Sequence, residues 1–288
     1  MRNALRVALA GLLLPAALFA DFEDLSRRPS ILWGQDPGLL LEVERAVSAE
    51  ERLSPGARFQ VENRIDEALP ALYIEAVEGI LVDSYETVGQ RLQASDALFR
   101  GLSELAVRGG RKVSASFSED MHRVLVQYRF PFKGPDGLIA PFIQHERPFP
   151  VPSILGFTPS RTFTGLVIYA RGELPSHGKP GKERANPALL PRLFDEDMNP
   201  VLSPEMCDPK FLLRWGGVAA YAFSDEETLF KERIGELPLR TMARGVFGRN
   251  ATDLLLPREA ARQFLSREGN RTLLREARIL IILDRPER

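Results

Sequence analysis

An isolated apolar run, Val7 to Phe19, opens the chain between Arg2 and Arg6 on one side and Asp21, Glu23 and Asp24 on the other. Positive, apolar and small residues in that order make a secretory leader. It is expected to span residues 1–20, with cleavage after Ala20 or, because Leu18 fits the small-residue rule poorly, after Ala17. The run is short and broken by Pro15, so it does not read as a membrane span. Residues 21–53 scatter short apolar pieces among Pro29, Gly34, Pro37 and Gly38, which predicts an irregular lead-in with one short helix near Leu39 to Glu51.

From Ser54 the pattern becomes helical. Ser54 and Pro55 suit the N-cap and first helical position, and Phe59, Val61, Ile65, Leu69, Leu72, Ile74 and Val77 follow at helix spacing. Pro70 falls inside, where a missing N–H predicts a kink or break. Gly79 to Ser84 reads as a short strand. Ser84 or Thr87 then caps a second helix through Val88, Leu92, Leu98, Leu102 and Leu105, ended by Gly109-Gly110. Lys112 to Phe117 and Met121 to Phe132 alternate with period two across a Ser118-Glu119-Asp120 turn, which predicts a hairpin.

Pro131, Pro135, Pro141, Pro148, Pro150 and Pro152 then interleave with Phe132, Phe142, Phe149 and Phe157, a texture hostile to helix or central strand. Residues 139–160 are accordingly taken as a Pro-rich linker between an α+β domain at 54–138 and a second at 161–288. In the second, Thr164 to Arg171, Leu189 to Phe194, Leu239 to Val246, Asp253 to Leu256 and Arg278 to Asp284 read as strands. Ser203-Pro204 opens a helix running toward Trp215, and Pro257 to Leu265 forms another. The fold class is α+β: two small α+β domains after a signal peptide, joined by a Pro-rich linker.

Charge and chemistry narrow the picture. A formal net charge of −1 over 288 residues lacks the clustered cationic surplus that nucleic acid demands, and no later apolar run reaches membrane length. Cys207 is the only cysteine, so no intramolecular disulfide exists and the fold rests on its core; Cys207 reads as a buried small hydrophobe. His122, His145 and His177 lack metal-ligand spacing, Ser84, Ser160 and Ser203 lack a nucleophile elbow, and Pro180 spoils a phosphate loop at Gly178 to Lys182. No enzyme, metal or cofactor is expected. The densest acid cluster, Asp195-Glu196-Asp197, ends a predicted strand, as does Arg171. Arg171 with Asp195 is the pair singled out, as a ligand contact or as an ion pair fixing two strand ends, with Arg192 and Asp197 beside them as candidate ligand-binding residues.

Two stretches carry a resemblance. Ala57-Arg58-Phe59-Gln60 through Gly79-Ile80-Leu81-Val82-Asp83-Ser84-Tyr85-Glu86-Thr87-Val88, with Gly101 and Gly109 before a hairpin, resembles the FlgP-like flagellar basal-disk lipoproteins and their envelope relatives. Phe163 to Gly172 followed by Ala188 to Asp197 is similar to a module found after such domains in exported bacterial proteins. Here Tyr169 replaces an acidic residue of that module, a basic insertion separates Gly172 from Pro187, and no lipoprotein Cys stands at the leader. The resemblance implies a structural or assembly role in the envelope or periplasm, near the flagellum, with envelope or flagellar proteins or further copies of the chain as partners. An exposed strand edge of the N-terminal unit is the expected contact. The alternative is a periplasmic small-ligand or polysaccharide-binding protein with its pocket between the domains, around Arg171, Arg192, Asp195 and Asp197.

Overall fold

The structure is a computed structural model describing residues 25–48, 56–154 and 158–285. The leader, the Ser54-Pro55 cap and the last three residues lie outside the described residues. Two α+β units follow one another, as the sequence predicts.

The first unit is a four-stranded antiparallel sheet with helices on one face. Its strands are β1 (Leu25–Leu32), β2 (Gly38–Ala46), β3 (Arg111–Phe117) and β4 (Arg123–Pro131), in the order β1-β2-β4-β3. The expected lead-in helix near Leu39 is therefore corrected to strand, and the lead-in supplies half the sheet. Leu39, Leu41 and Val43 point inward at period two and stand opposite Phe130, Tyr128 and Val126 of β4, so that one face of the sheet becomes a continuous apolar layer.

Helix α1 (Ala57–Val77) lays Val61, Ile65, Ala68, Leu72 and Val77 on that layer, with Tyr73 against Phe130 at 4.5 Å between ring centres. Pro70 does not break it: the helix is continuous through this position. The carbonyl deprived of its donor belongs to exposed Asp66, where water can serve it. The second predicted helix is two. Thr87 caps α2 (Val88–Ala94) in a reciprocal box with Gln90, and Ser95 ends it and caps α3 (Asp96–Gly109).

The second unit holds two larger sheets. In one, β10 (Ala220–Ala222), β14 (Ile279–Ile282), β5 (Leu166–Tyr169) and β11 (Leu239–Met242) run parallel in that order. All of β14 and nearly all of β5 are buried, which explains their unbroken apolar runs: Leu166, Ile168, Ile279 and Ile281 join the main core, while Val167, Leu280 and Ile282 face a smaller cluster under Phe230 and Ile234. The other sheet, mixed, has the order β12 (Gly245–Phe247), β13 (Asp253–Leu256), β8 (Leu193–Asp195) and β9 (Pro200–Leu202). A small ladder joins β6 (Leu174–Pro175) to β7 (Lys182–Glu183). The helices are α4 (Pro209–Trp215), α5 (Lys231–Ile234), α6 (Arg258–Leu265) and α7 (Glu268–Arg275).

The two units share one core. Trp33 of the first stacks edge-on against Phe132 and against Tyr221 of the second, at 5.5 and 5.3 Å between ring centres. The Pro-rich segment is not a bare tether: Leu138, Ile139, Phe142 and Val151 are buried, and Gly134 N–H donates to the Leu213 carbonyl at 2.7 Å. Proline suits this segment because it lies as irregular chain between two packed bodies, with no ladder to disrupt.

Candidate functional site

The strand expected at Gly79 to Ser84 is a docking loop, paired with its own return by an isolated bridge between Leu81 and Thr87 instead of a strand ladder. Asp83 Oδ1 accepts the N–H groups of Tyr85 and Glu86, and Arg91 donates to Oδ2 at 2.6 Å, so the side chain builds the turn that a strand assignment missed. The loop then plugs into the second unit. Leu189 and Leu190 donate their N–H groups to the Leu81 and Val82 carbonyls at 3.0 and 2.7 Å, and Asn250 N–H donates to the Ser84 carbonyl at 2.9 Å.

Buried Asp253 lies behind this contact at the head of β13. Its Oδ1 accepts the Arg192 N–H at 2.9 Å, while Oδ2 has no partner among the described residues. Burial pushes this carboxyl above the usual carboxylate range, against the opposing pull of the Ser84 hydroxyl and the Arg192 N–H. In front of it a pocket of about 240 Å³ opens between the units, lined by Asp83, Arg91, Phe142, His145, Arg192 and Glu205 among others. His145 Nε2 is anchored 2.7 Å from the Cys207 carbonyl oxygen. Cys207 itself is buried, which pushes its thiol up to about 12 and leaves it inert at neutral pH.

The four residues singled out from sequence do not form one site. Arg171 lies two residues past the end of β5, in the parallel sheet's outlet, and pairs with Asp225 at 3.0 Å. Asp195 ends β8 in the mixed sheet, so the two expected neighbours belong to different sheets. Asp195 Oδ1 accepts the N–H groups of Asp197 and Asn199 at 2.9 and 2.8 Å, closing the turn into β9. Asp197 pairs with Arg258 at 2.6 Å, and Glu196 accepts the Arg258 N–H at the start of α6. The acid cluster thus closes a turn and caps a helix. Only Arg192 lies at the junction. Asp83, Asp253 and Glu205 escaped sequence reasoning because the junction gathers them from separate stretches of the chain, Asp253 meeting Arg192 across 61 residues. The Asx turn at Asp83 was the one local signal. Among the described residues no group of three His, Cys, Asp or Glu side chains could hold a metal ion, and no helix is long and apolar enough to cross a membrane.

Sheet edges offer the other candidate surface, and most are guarded. Strand β1 carries Arg27, Arg28 and Pro29; β3 is distorted by a bulge between Lys112 and Ser114; β9 begins at Pro200; β12 is bridged to Ser176. Strand β11 is different. The Leu239 and Ala243 N–H groups turn inward to the Gly165 and Tyr169 carbonyls, so strand alternation turns those of Arg240 and Met242 outward. Met242 is 70 % exposed and Leu237 69 %, giving this edge an apolar border. Arg240 is held by Glu227, which also accepts the Tyr169 hydroxyl, so the edge is braced from one side.

Residues 35–135 match the family model described as Treponema pallidum Tp0624, N-terminal domain, and residues 165–285 match that of Treponema pallidum Tp0624, second domain. No curated protein matches the chain. The second match spans the strands of the second unit, the first begins after β1 of the first unit, and the Pro-rich seam falls between them. The chain is therefore similar, in the same order, to the N-terminal and second domains of Tp0624.

Proposed function

We propose that the protein is a non-enzymatic, exported envelope protein with an assembly role in the periplasm, and that it docks an extended segment of another envelope protein along β11. The supporting observation is the edge itself. It combines outward N–H groups, an apolar border of Leu237 and Met242, and a single charge, Arg240, that is tied to Glu227 instead of standing free on the edge. An extended segment would continue the parallel sheet through main-chain hydrogen bonds, while its side chains meet Met242 and Leu237. This relocates the expected contact from the N-terminal unit to the second one, because both outer strands of the first sheet carry such guards. Flagellar association is the finer form of the proposal, and it rests on the resemblance of residues 57–88 to the FlgP-like proteins.

The test is recovery of partners from the native envelope fraction by wild-type protein and by Met242→Lys. A lysine at this exposed position leaves the fold intact and puts a charge on the edge. A discrete partner recovered by wild type and lost with Met242→Lys supports docking at β11. Equal recovery by both refutes it.

A further inference from the structure

The pocket between the units contains an unused pair of opposite charges. Arg91 and Asp83 satisfy each other at 2.6 Å, and Arg91 also holds Glu86. The remaining cation, the half-buried Arg192 guanidinium, has no hydrogen bond or ion pair among the described residues. The Glu205 carboxylate at the rim has none either, and the two are not paired with each other. Only main-chain groups of these residues make hydrogen bonds, Arg192 N–H with Asp253 and Phe149 N–H with the Glu205 carbonyl at 2.8 Å, while the Arg192 charge also acts on the Asp253 carboxyl without a hydrogen bond to it. A half-buried guanidinium with its fork empty is poised for a planar carboxylate.

Phe142, Phe149, Leu190 and Leu212 also line this pocket as apolar wall, with Gln144 as a neutral polar group. At about 240 Å³ the space is below the roughly 300–1,000 Å³ typical of drug-sized ligands. One cation, one anion and an apolar wall in a small space are the complement of a zwitterion bearing an apolar side chain. A phosphate or a simple fatty acid would leave Glu205 unanswered, and an uncharged sugar would leave both charges so.

We propose that this pocket binds a free α-amino acid with an apolar side chain, its carboxylate on Arg192, its ammonium toward Glu205 and its side chain against Phe142 and Leu190. Because the pocket is walled by both units, such a ligand would bind the joined form alone and stabilise it by mass action. The site is separate from β11, so this proposal and docking at the edge stand or fall independently.

The test is calorimetric titration of the full chain with L-leucine and L-phenylalanine, alongside N-acetyl-L-leucine, which lacks the ammonium, and L-leucinamide, which lacks the carboxylate. At least one amino acid is expected to bind, with its modified forms about tenfold weaker or worse. Arg192→Gln and Glu205→Gln should each weaken binding by about tenfold while the unfolding temperature without ligand stays at the wild-type value. Glu205 is exposed, so its substitution tests the site even if Arg192→Gln perturbs the fold. No heat and no shift in unfolding temperature with either amino acid up to about 10 mM would overturn the assignment. So would binding that survives Glu205→Gln unchanged, or equal binding of the modified forms.

Discussion

The Ser84 hydroxyl lies 3.0 Å from that of Thr252, joining a loop of the first unit to the strand entry of the second across 168 residues of chain. The same hydroxyl also reaches the Phe247 carbonyl at 3.3 Å. Gly248 lies against this contact with φ at +91°, and a Cβ added there would meet Ser84 Cβ at 2.2 Å. Gly248→Ala is thus expected to destabilise by about 2–4 kcal/mol, combining left-handed strain with overpacking. Ser84→Gly on the same chain clears that space. A double-mutant cycle by urea unfolding should then show the pair coupled by at least about 1 kcal/mol. Simple additivity would mean that the loop is not seated where the structure puts it.

Asp253 gives a pH signature. Its carboxyl is raised by burial above the ordinary 3.8, so the folded chain holds this proton more tightly than the unfolded chain. The group therefore favours folding at low pH, and that contribution is lost as pH rises from 3.8 through the raised value. Asp253→Asn abolishes the titration. The unfolding free energy of wild type minus that of the variant is expected to fall as pH is raised from about 4 and then to level off. A difference that rises with pH, or stays flat, contradicts a buried carboxyl without a partner for Oδ2.

Some of this fold is legible in the sequence because local and tertiary demands agree. Val124, Val126, Tyr128 and Phe130 alternate in sequence and are alternately buried in β4, and Asp253 to Leu256 is the strand predicted. Elsewhere two periods coexist. Leu39, Leu41 and Val43 fit a strand, while Leu39, Leu40, Val43 and Val47 fit a helix, and only pairing with β1 and β4 decides between them. In the run predicted as one helix, Ser95 was a second cap. Asp195 is at a strand end and Arg171 just past one, since β5 stops at Tyr169, but sequence does not say which sheet a strand joins. Arg192 is at the junction for a reason the sequence could not show, namely that Leu189 and Leu190 dock on the loop before Asp83.

Docking at β11 is tested by a photo-crosslinking amino acid placed at Met242 in the full chain within its native envelope. Phe59, 67 % exposed at the start of α1, is the matched control away from this edge. Position 242 is expected to give a discrete crosslinked product and position 59 none. No product at 242, or the same products from both positions, would contradict it.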